Sequence, residues 1–193
     1  FEHPRGFSFE RAGMLDFART FMQANPLYLN LQYALDHGFS DLPASPQMVF
    51  NVTLSLGVQN DSEKAIANLG YYQVQFLRPV YPGDTLRAFT KVLERKDRGP
   101  DKPGIALIRT VGVNQDDRVV LQYERKIMVA WRGDRLPTTP APAVSAPFPG
   151  ETAPRIELPL TGGSYARGLT GPNTYAEDFS PGDIIVHANG RTI

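Results

Sequence analysis

The run Pro46-Gln47-Met48-Val49-Phe50-Asn51-Val52-Thr53-Leu54-Ser55-Leu56-Gly57-Val58 dictates how the rest of the chain must pack. Proline suits the first helical position, because its missing N–H is not needed there and its φ is already helical. Met48, Val49, Phe50, Val52, Leu54, Leu56 and Val58 then fall almost all the way round a helix of 3.6 residues per turn. That distribution predicts a helix buried on every side. About 13 residues at 1.5 Å each make a rod roughly 20 Å long, the span of a domain core and too short for a bilayer.

Downstream the hydrophobic period changes from 3.6 to 2, and residues 72–81, 85–95, 104–114 and 119–131 read as four strands in succession. Pro82-Gly83-Asp84, the charged loop 96–103 and Gln115-Asp116-Asp117 connect them. In the last strand Val119, Leu121, Tyr123, Ile127 and Val129 share one face, interrupted by Arg125. Gln122, Glu124 and Lys126 share the other, so the sheet is expected to be covered on one side and wet on the opposite one. Four long antiparallel strands and one apolar rod pack most economically if the sheet curls round the helix. The expected architecture is therefore α+β, the hot-dog arrangement.

Upstream, Met14, Phe17, Ala18, Phe21 and Met22 have helical spacing within residues 10–24, with Pro26 closing the segment. Ser8 is the expected N-cap, although Arg11 replaces the Glu or Gln that would complete a capping box. A second short helix is predicted over residues 29–36, with Gly38 at its C′ position.

Beyond residue 133 the character shifts. Pro137, Pro140, Pro142, Pro147, Pro149, Pro154, Pro159 and Pro172 recur among glycines without hydrophobic periodicity, which predicts an extended connector lying over a surface. The expected division is a first domain over residues 1–133, a linker over 134–174 and the opening strand of a second domain over 175–193. His187-Ala188-Asn189-Gly190-Arg191-Thr192-Ile193 aligns with His3-Pro4-Arg5-Gly6-Phe7-Ser8-Phe9. We read this as the entrance to another domain of the same kind.

The totals exclude several chemistries. The 193 residues carry 20 basic and 20 acidic side chains, so the basic excess of an electrostatic nucleic-acid binder is absent. There is no cysteine, which removes disulfides, thiolate catalysis and iron–sulfur centres. His3, His37 and His187 do not stand at metal-ligand spacing. No apolar run approaches membrane-spanning length. A soluble cytoplasmic protein with no metal or redox cofactor is expected.

Two segments carry a family likeness. One is Phe76-Leu77-Arg78-Pro79-Val80-Tyr81-Pro82-Gly83-Asp84-Thr85-Leu86, within residues 68–86. The other is Glu177-Asp178-Phe179-Ser180-Pro181-Gly182-Asp183, followed by Gly190-Arg191-Thr192-Ile193. Both resemble MaoC-like hot-dog hydratases and dehydratases, and the Ala67-Asn68-Leu69-Gly70 context and tandem layout are most similar to mesaconyl-CoA hydratases, also called β-methylmalyl-CoA dehydratases. The resemblance implies reversible addition of water to an α,β-unsaturated CoA thioester, with no cofactor. It also implies a homodimer or tandem pseudo-dimer of hot-dog units.

That chemistry needs a carboxylate and an imidazole to hold and deprotonate one water. It also needs backbone N–H groups at the start of the buried helix to stabilise the enolate-like thioester oxygen. In the family a phrase of the type G-D-x-N-P-L-H supplies the first pair, and a His-Gly pair begins the helix. Here the phrase is Met22-Gln23-Ala24-Asn25-Pro26-Leu27-Tyr28, and Ser45-Pro46-Gln47-Met48 stands at the helix start. The Asn-Pro-Leu frame is intact, but Gln23 occupies the carboxylate position and Tyr28 the imidazole position. An amide is no base, and a phenol of ordinary pKa about 10 is a poor one at neutral pH. The expectation is a catalytically silent domain, with Asn25, Tyr28, Gln47 and Asn51 as substrate-binding candidates.

Other residues weigh less. Asp16 reads as a solvated helix residue, and His37 beside Gly38 as a helix-end group suited to the dipole. Asn51 either faces a substrate tunnel or bonds to a strand. Arg95, Lys96, Arg98 and Lys102, with Asp97 and Asp101 among them, read as a solvated hairpin tip rather than a phosphate site. Two function classes follow: a structural and substrate-accommodating half of a lyase, or a stand-alone non-catalytic acyl-CoA-binding or scaffold module. A hot-dog thioesterase shares the fold but not the phrases above.

Overall fold

In the computed structural model, which describes residues 2–99, 102–131, 148–150, 155–159 and 176–184, the rod is helix α3, Pro46–Asp61. Ser45 caps it by accepting the Met48 N–H, and Pro46 takes the first turn as expected. Strands β1 (Glu2–Ser8), β2 (Ala65–Phe76), β3 (Thr85–Lys96), β4 (Gly104–Val113) and β5 (Val119–Val129) form one antiparallel sheet in the order β1-β3-β4-β5-β2. The sheet packs α3 against its concave face, chiefly through β3, β4 and β1. The hot-dog arrangement holds.

The strand order corrects the expected four-strand meander. Only β3, β4 and β5 follow one another by hairpins; β2 starts at Ala65, pairs with β5, and ends at Phe76. The Pro82-Gly83-Asp84 phrase therefore belongs to a crossover. Asp84 Oδ2 accepts the Tyr81 N–H at 2.8 Å, and Gly83 sits at φ +94, where a side chain would be strained. Three register shifts in β2 against β5 add local twist, which helps the strand follow the curl of the sheet.

Ser8 does not cap the first helix. It lies in β1, a strand not read from the sequence, and its hydroxyl is 2.7 Å from that of Thr85. Helix α1 runs Arg11–Thr20 with Glu10 at its N-cap, well short of residue 24. Met22 at φ +53 ends it: the Met22 N–H donates to Arg19 O and the Gln23 N–H to Ala18 O, a left-handed cap built without glycine. After a 3-10 turn, Pro26–Tyr28, helix α2 spans Leu31–Asp36. It closes at Gly38, φ +84, with the Gly38 N–H on Leu35 O and the Phe39 N–H on Ala34 O.

The core lies between α3 and the sheet, with Met48, Val49, Leu86, Leu121 and Tyr123 buried and Phe9 and Met14 closing one end. Thr53 packs closely on Gly112, where a Cβ on the glycine would stand 2.7 Å from Thr53 Oγ1. Arg125, the odd residue of the covered face, is 4% exposed and pairs with Asp61 at the end of α3, 2.6 Å away. Ser62 Oγ accepts a second bond from the same guanidinium nitrogen, and Thr90 Oγ1 is 3.1 Å from the other Asp61 oxygen.

Two further expectations need correction. Helix α3 is not buried all round, because the sheet covers only one side; Gln47, Asn51 and Ser55, four residues apart, form an exposed line. A register shift between Gly112 and Val113 opposite β5 also turns Val119 away from the helix, so it joins Leu77, Val111 and Val113 in a second apolar cluster. The convex face is consequently not wet throughout: Gln122 is buried and bonds to Gln75, whereas Glu124 pairs with Arg109 and Lys126 is exposed.

Of residues 134–174, only 148–150 and 155–159 are described, and Ala176–Asp178 form a short 3-10 turn. The proposed second-domain strand and the His187–Ile193 repeat lie outside the described residues apart from 176–184. Among the described residues, no helix is long and apolar enough to cross a membrane.

Candidate functional site

The left-handed cap at Met22 throws the chain off α1 so that Gln23 reaches the first turn of α3. There Gln23 Nε2 donates to Gln47 Oε1 at 3.1 Å. Gln23, Gln47 and Asn51 line one cleft of about 550 Å³, walled by Phe17, Phe21, Phe50 and Phe76. Phe17 on α1 and Phe21 at its C-cap pack ring against ring, 4.5 Å between centroids. A second cleft of about 520 Å³ flanks the other side of α3, and Asn51 lines both. The exposure of Asn51 fits the tunnel-facing alternative better than a bond to a strand.

Asn25 and Tyr28 are not among the residues lining the first cleft. Asn25 Oδ1 accepts the Leu27 N–H at 3.0 Å and caps the 3-10 turn, so the Asn-Pro-Leu phrase acts locally as a turn builder. Tyr28 is half-buried in that turn, and burial pushes its phenol above the ordinary tyrosine value. A phenol made harder to ionise leaves still less phenolate at neutral pH to accept a proton.

At the start of α3 the N–H groups are depleted. Pro46 has none, and the Met48 N–H is taken by the Ser45 hydroxyl. Among the described residues, the cleft lining contains no ionisable side chain. Its lining amides and aromatic rings can exchange hydrogen bonds with a neutral polar group and enclose an apolar one.

The remaining candidates fall into structural roles. Asp16 is exposed and 3.9 Å from Arg19. His37 caps α2, its Nδ1 2.7 Å from Tyr33 O and its ring stacked on that of Tyr33. Arg95, Lys96, Arg98 and Lys102 are exposed, as a hairpin tip would be. No group of three His, Cys, Asp or Glu side chains among the described residues could hold a metal. The sequence reading missed the aromatic walls, since Phe17 and Phe21 look like ordinary core residues at helical spacing.

A curled five-stranded sheet round one helix, with an amide-lined cleft at the helix start, places the chain among MaoC-like hot-dog proteins. The solved MaoC domain dehydratase of Chloroflexus aurantiacus superimposes with a TM-score of 0.71 at 29% identity, over 93% of this chain and 52% of that one. A double hot-dog protein of Mycobacterium tuberculosis shares the fold at TM-score 0.65 and 21% identity, over 92% and 56% of the two chains. The family model for mesaconyl-CoA hydratase matches residues 1–140, and the chain belongs to that family. Curated relatives include the β-methylmalyl-CoA dehydratase of C. aurantiacus, 34% identical over 83% of this chain and 46% of the relative. The mesaconyl-CoA hydratase of Cereibacter sphaeroides is 34% identical over 84% and 48%. The chain spans about half the length of the curated relatives it matches.

Proposed function

We propose that this chain is the non-catalytic half of a hydratase or dehydratase that adds water reversibly across an α,β-unsaturated CoA thioester, mesaconyl-CoA being the favoured substrate. This half supplies structure and encloses part of the substrate; a second half performs the proton chemistry. Hydration places the hydroxyl on the β-carbon and a proton on the α-carbon, so some group must take a proton from the attacking water. The Gln23–Gln47 contact supports the reading: the residue at the family's carboxylate position is a carboxamide, and it bonds to another carboxamide at the start of the helix.

The substrate class is supported by the names of the relatives, and the division of labour by their double length. Gln47 and Asn51 are the proposed substrate-facing groups of the cleft, with Asn25 and Tyr28 shaping its approach. The second hot-dog unit, in tandem or in a second copy, is proposed to pair along β2. That strand forms a sheet edge and leaves Ile66, Leu69, Tyr72 and Val74 exposed, features that favour recruitment of another strand. A cytoplasmic setting goes with the proposal.

The test is to supply mesaconyl-CoA to the 193-residue chain alone and follow loss of the conjugated-thioester absorbance. No turnover above buffer is expected, whereas the double-length protein turns over. Hydration by the chain alone at the rate of the whole protein would contradict the assignment. Intact mass separates the other class: a natural product near twice 21.4 kDa supports the half-enzyme, and one of 21.4 kDa favours a stand-alone acyl-binding module.

A further inference from the structure

The convex face of the sheet should be wet, as antiparallel sheets with one covered face usually are. It is not. Leu77, Val111, Val113 and Val119 are 0–3% exposed there, with Phe89 packed against them. Leu77, Arg78 and Val80 belong to the Leu-Arg-Pro-Val phrase, whose arginine the cleft does not use.

Part of what covers this face is the Pro-rich connector. Phe148 packs against the apolar cluster, and Lys91 Nζ lies 5.9 Å from its ring centroid. Nine residues on, the Glu157 N–H donates to Leu77 O at 2.7 Å, as an added strand would. The Glu157 carboxylate receives Arg78 through Nε at 3.1 Å and Nη2 at 2.9 Å, and Arg118 reaches it as well. Arg78 is only 14% exposed and is itself fixed by a 2.5 Å bond from Nη1 to Val119 O. A guanidinium held by the strand it spans presents a preorganised fork to a carboxylate.

From these contacts we infer that the convex face is a docking groove whose occupant is the chain's own connector, with Phe148 as apolar plug and Glu157 as carboxylate clamp. The described parts of the connector, residues 148–150 and 155–159, act as a strap anchored to the back of the sheet at Glu157. Removing the strap would bare the Leu77-Val111-Val113-Val119 cluster.

Arg155 lies two residues before the clamp and supplies a tryptic site that reports docking, because a protease must lift the segment off the sheet to cut it. In the full chain, Glu157→Ala and Phe148→Ala are each expected to raise the rate of cleavage after Arg155 tenfold or more with the far-ultraviolet spectrum unchanged. Glu94→Ala, which removes an exposed carboxylate of β3 outside these contacts, should leave the rate as it is. Hydrogen exchange at the Glu157 amide should accelerate in the same two variants. Cleavage and exchange within twofold of wild type in both would overturn the strap.

Discussion

Gln23 donates its side-chain amide to the side-chain oxygen of Gln47, tying the loop after α1 to the first turn of α3. The pair lines an aromatic cleft in which no ionisable side chain is found among the described residues. A carboxamide can imitate the shape and one hydrogen bond of a carboxylate, but it cannot accept a proton at neutral pH. Under the proposed function, this contact stands in for a hydratase acid–base pair without its proton chemistry.

At the other end of α3 the chemistry is reversed. Arg125 and Asp61 form a charged pair with each side chain 5% exposed, and Arg125 Nε has no partner among the described residues. Removing one partner strands a buried charge, whereas removing both does not. Asp61→Leu alone should cost about 3–5 kcal/mol in urea unfolding, and Arg125→Met alone a similar amount. The double variant should lie much closer to wild type. Additive losses would show that the pair does not act as a unit.

Gly112 is held by sterics rather than by its φ. Gly112→Ala sets a methyl 2.7 Å from Thr53 Oγ1 and 3.2 Å from its Cγ2, and overpacking of this kind costs about 1–3 kcal/mol. Thr53→Ala removes both of those atoms. Measured by thermal unfolding, Thr53→Ala should recover most of the loss in the double variant, a coupling expected of residues in direct contact.

Most of the fold was legible because it is written in periodicity. The apolar rod, the three hairpin-linked strands and the Gly38 cap follow from spacing and turn chemistry, although the rod is covered on one side only. What escaped depended on tertiary context. Helix α1 ends at Met22, which carries no stop signal, and β1 is too short and polar at its start to stand out. The bulge that reverses Val119 comes from pairing with β4. The exposed line of α3 was present as Gln47, Asn51 and Ser55 at intervals of four, but the surrounding apolar residues masked it. Of the site, Gln23 and Gln47 were singled out, yet their mutual bond and the aromatic walls required the fold.

Arg11 and Asp41 give an acid-range signature. Both Asp41 oxygens accept from Arg11 Nη2 at 2.7 Å, and that hydrogen bond, helped by one from the Leu42 N–H, holds the carboxyl below the ordinary aspartate value. Since the folded value is the lower one, the contribution is present above the unfolded pKa and is lost as pH falls through the folded pKa. The pair is solvent-screened, so its size is up to about 1 kcal/mol. Arg11→Gln should bring the Asp41 titration, followed by carboxyl NMR shifts, back toward ordinary aspartate. It should also remove the matching part of the acid loss of stability.

The most direct measurement is turnover of mesaconyl-CoA by the whole protein carrying Gln23→Ala or Tyr28→Ala. Both variants should hydrate within a few-fold of wild type, since neither side chain is assigned a proton to carry. A loss of a hundredfold or more in either, with folding intact, would place acid–base chemistry in this half and contradict the account.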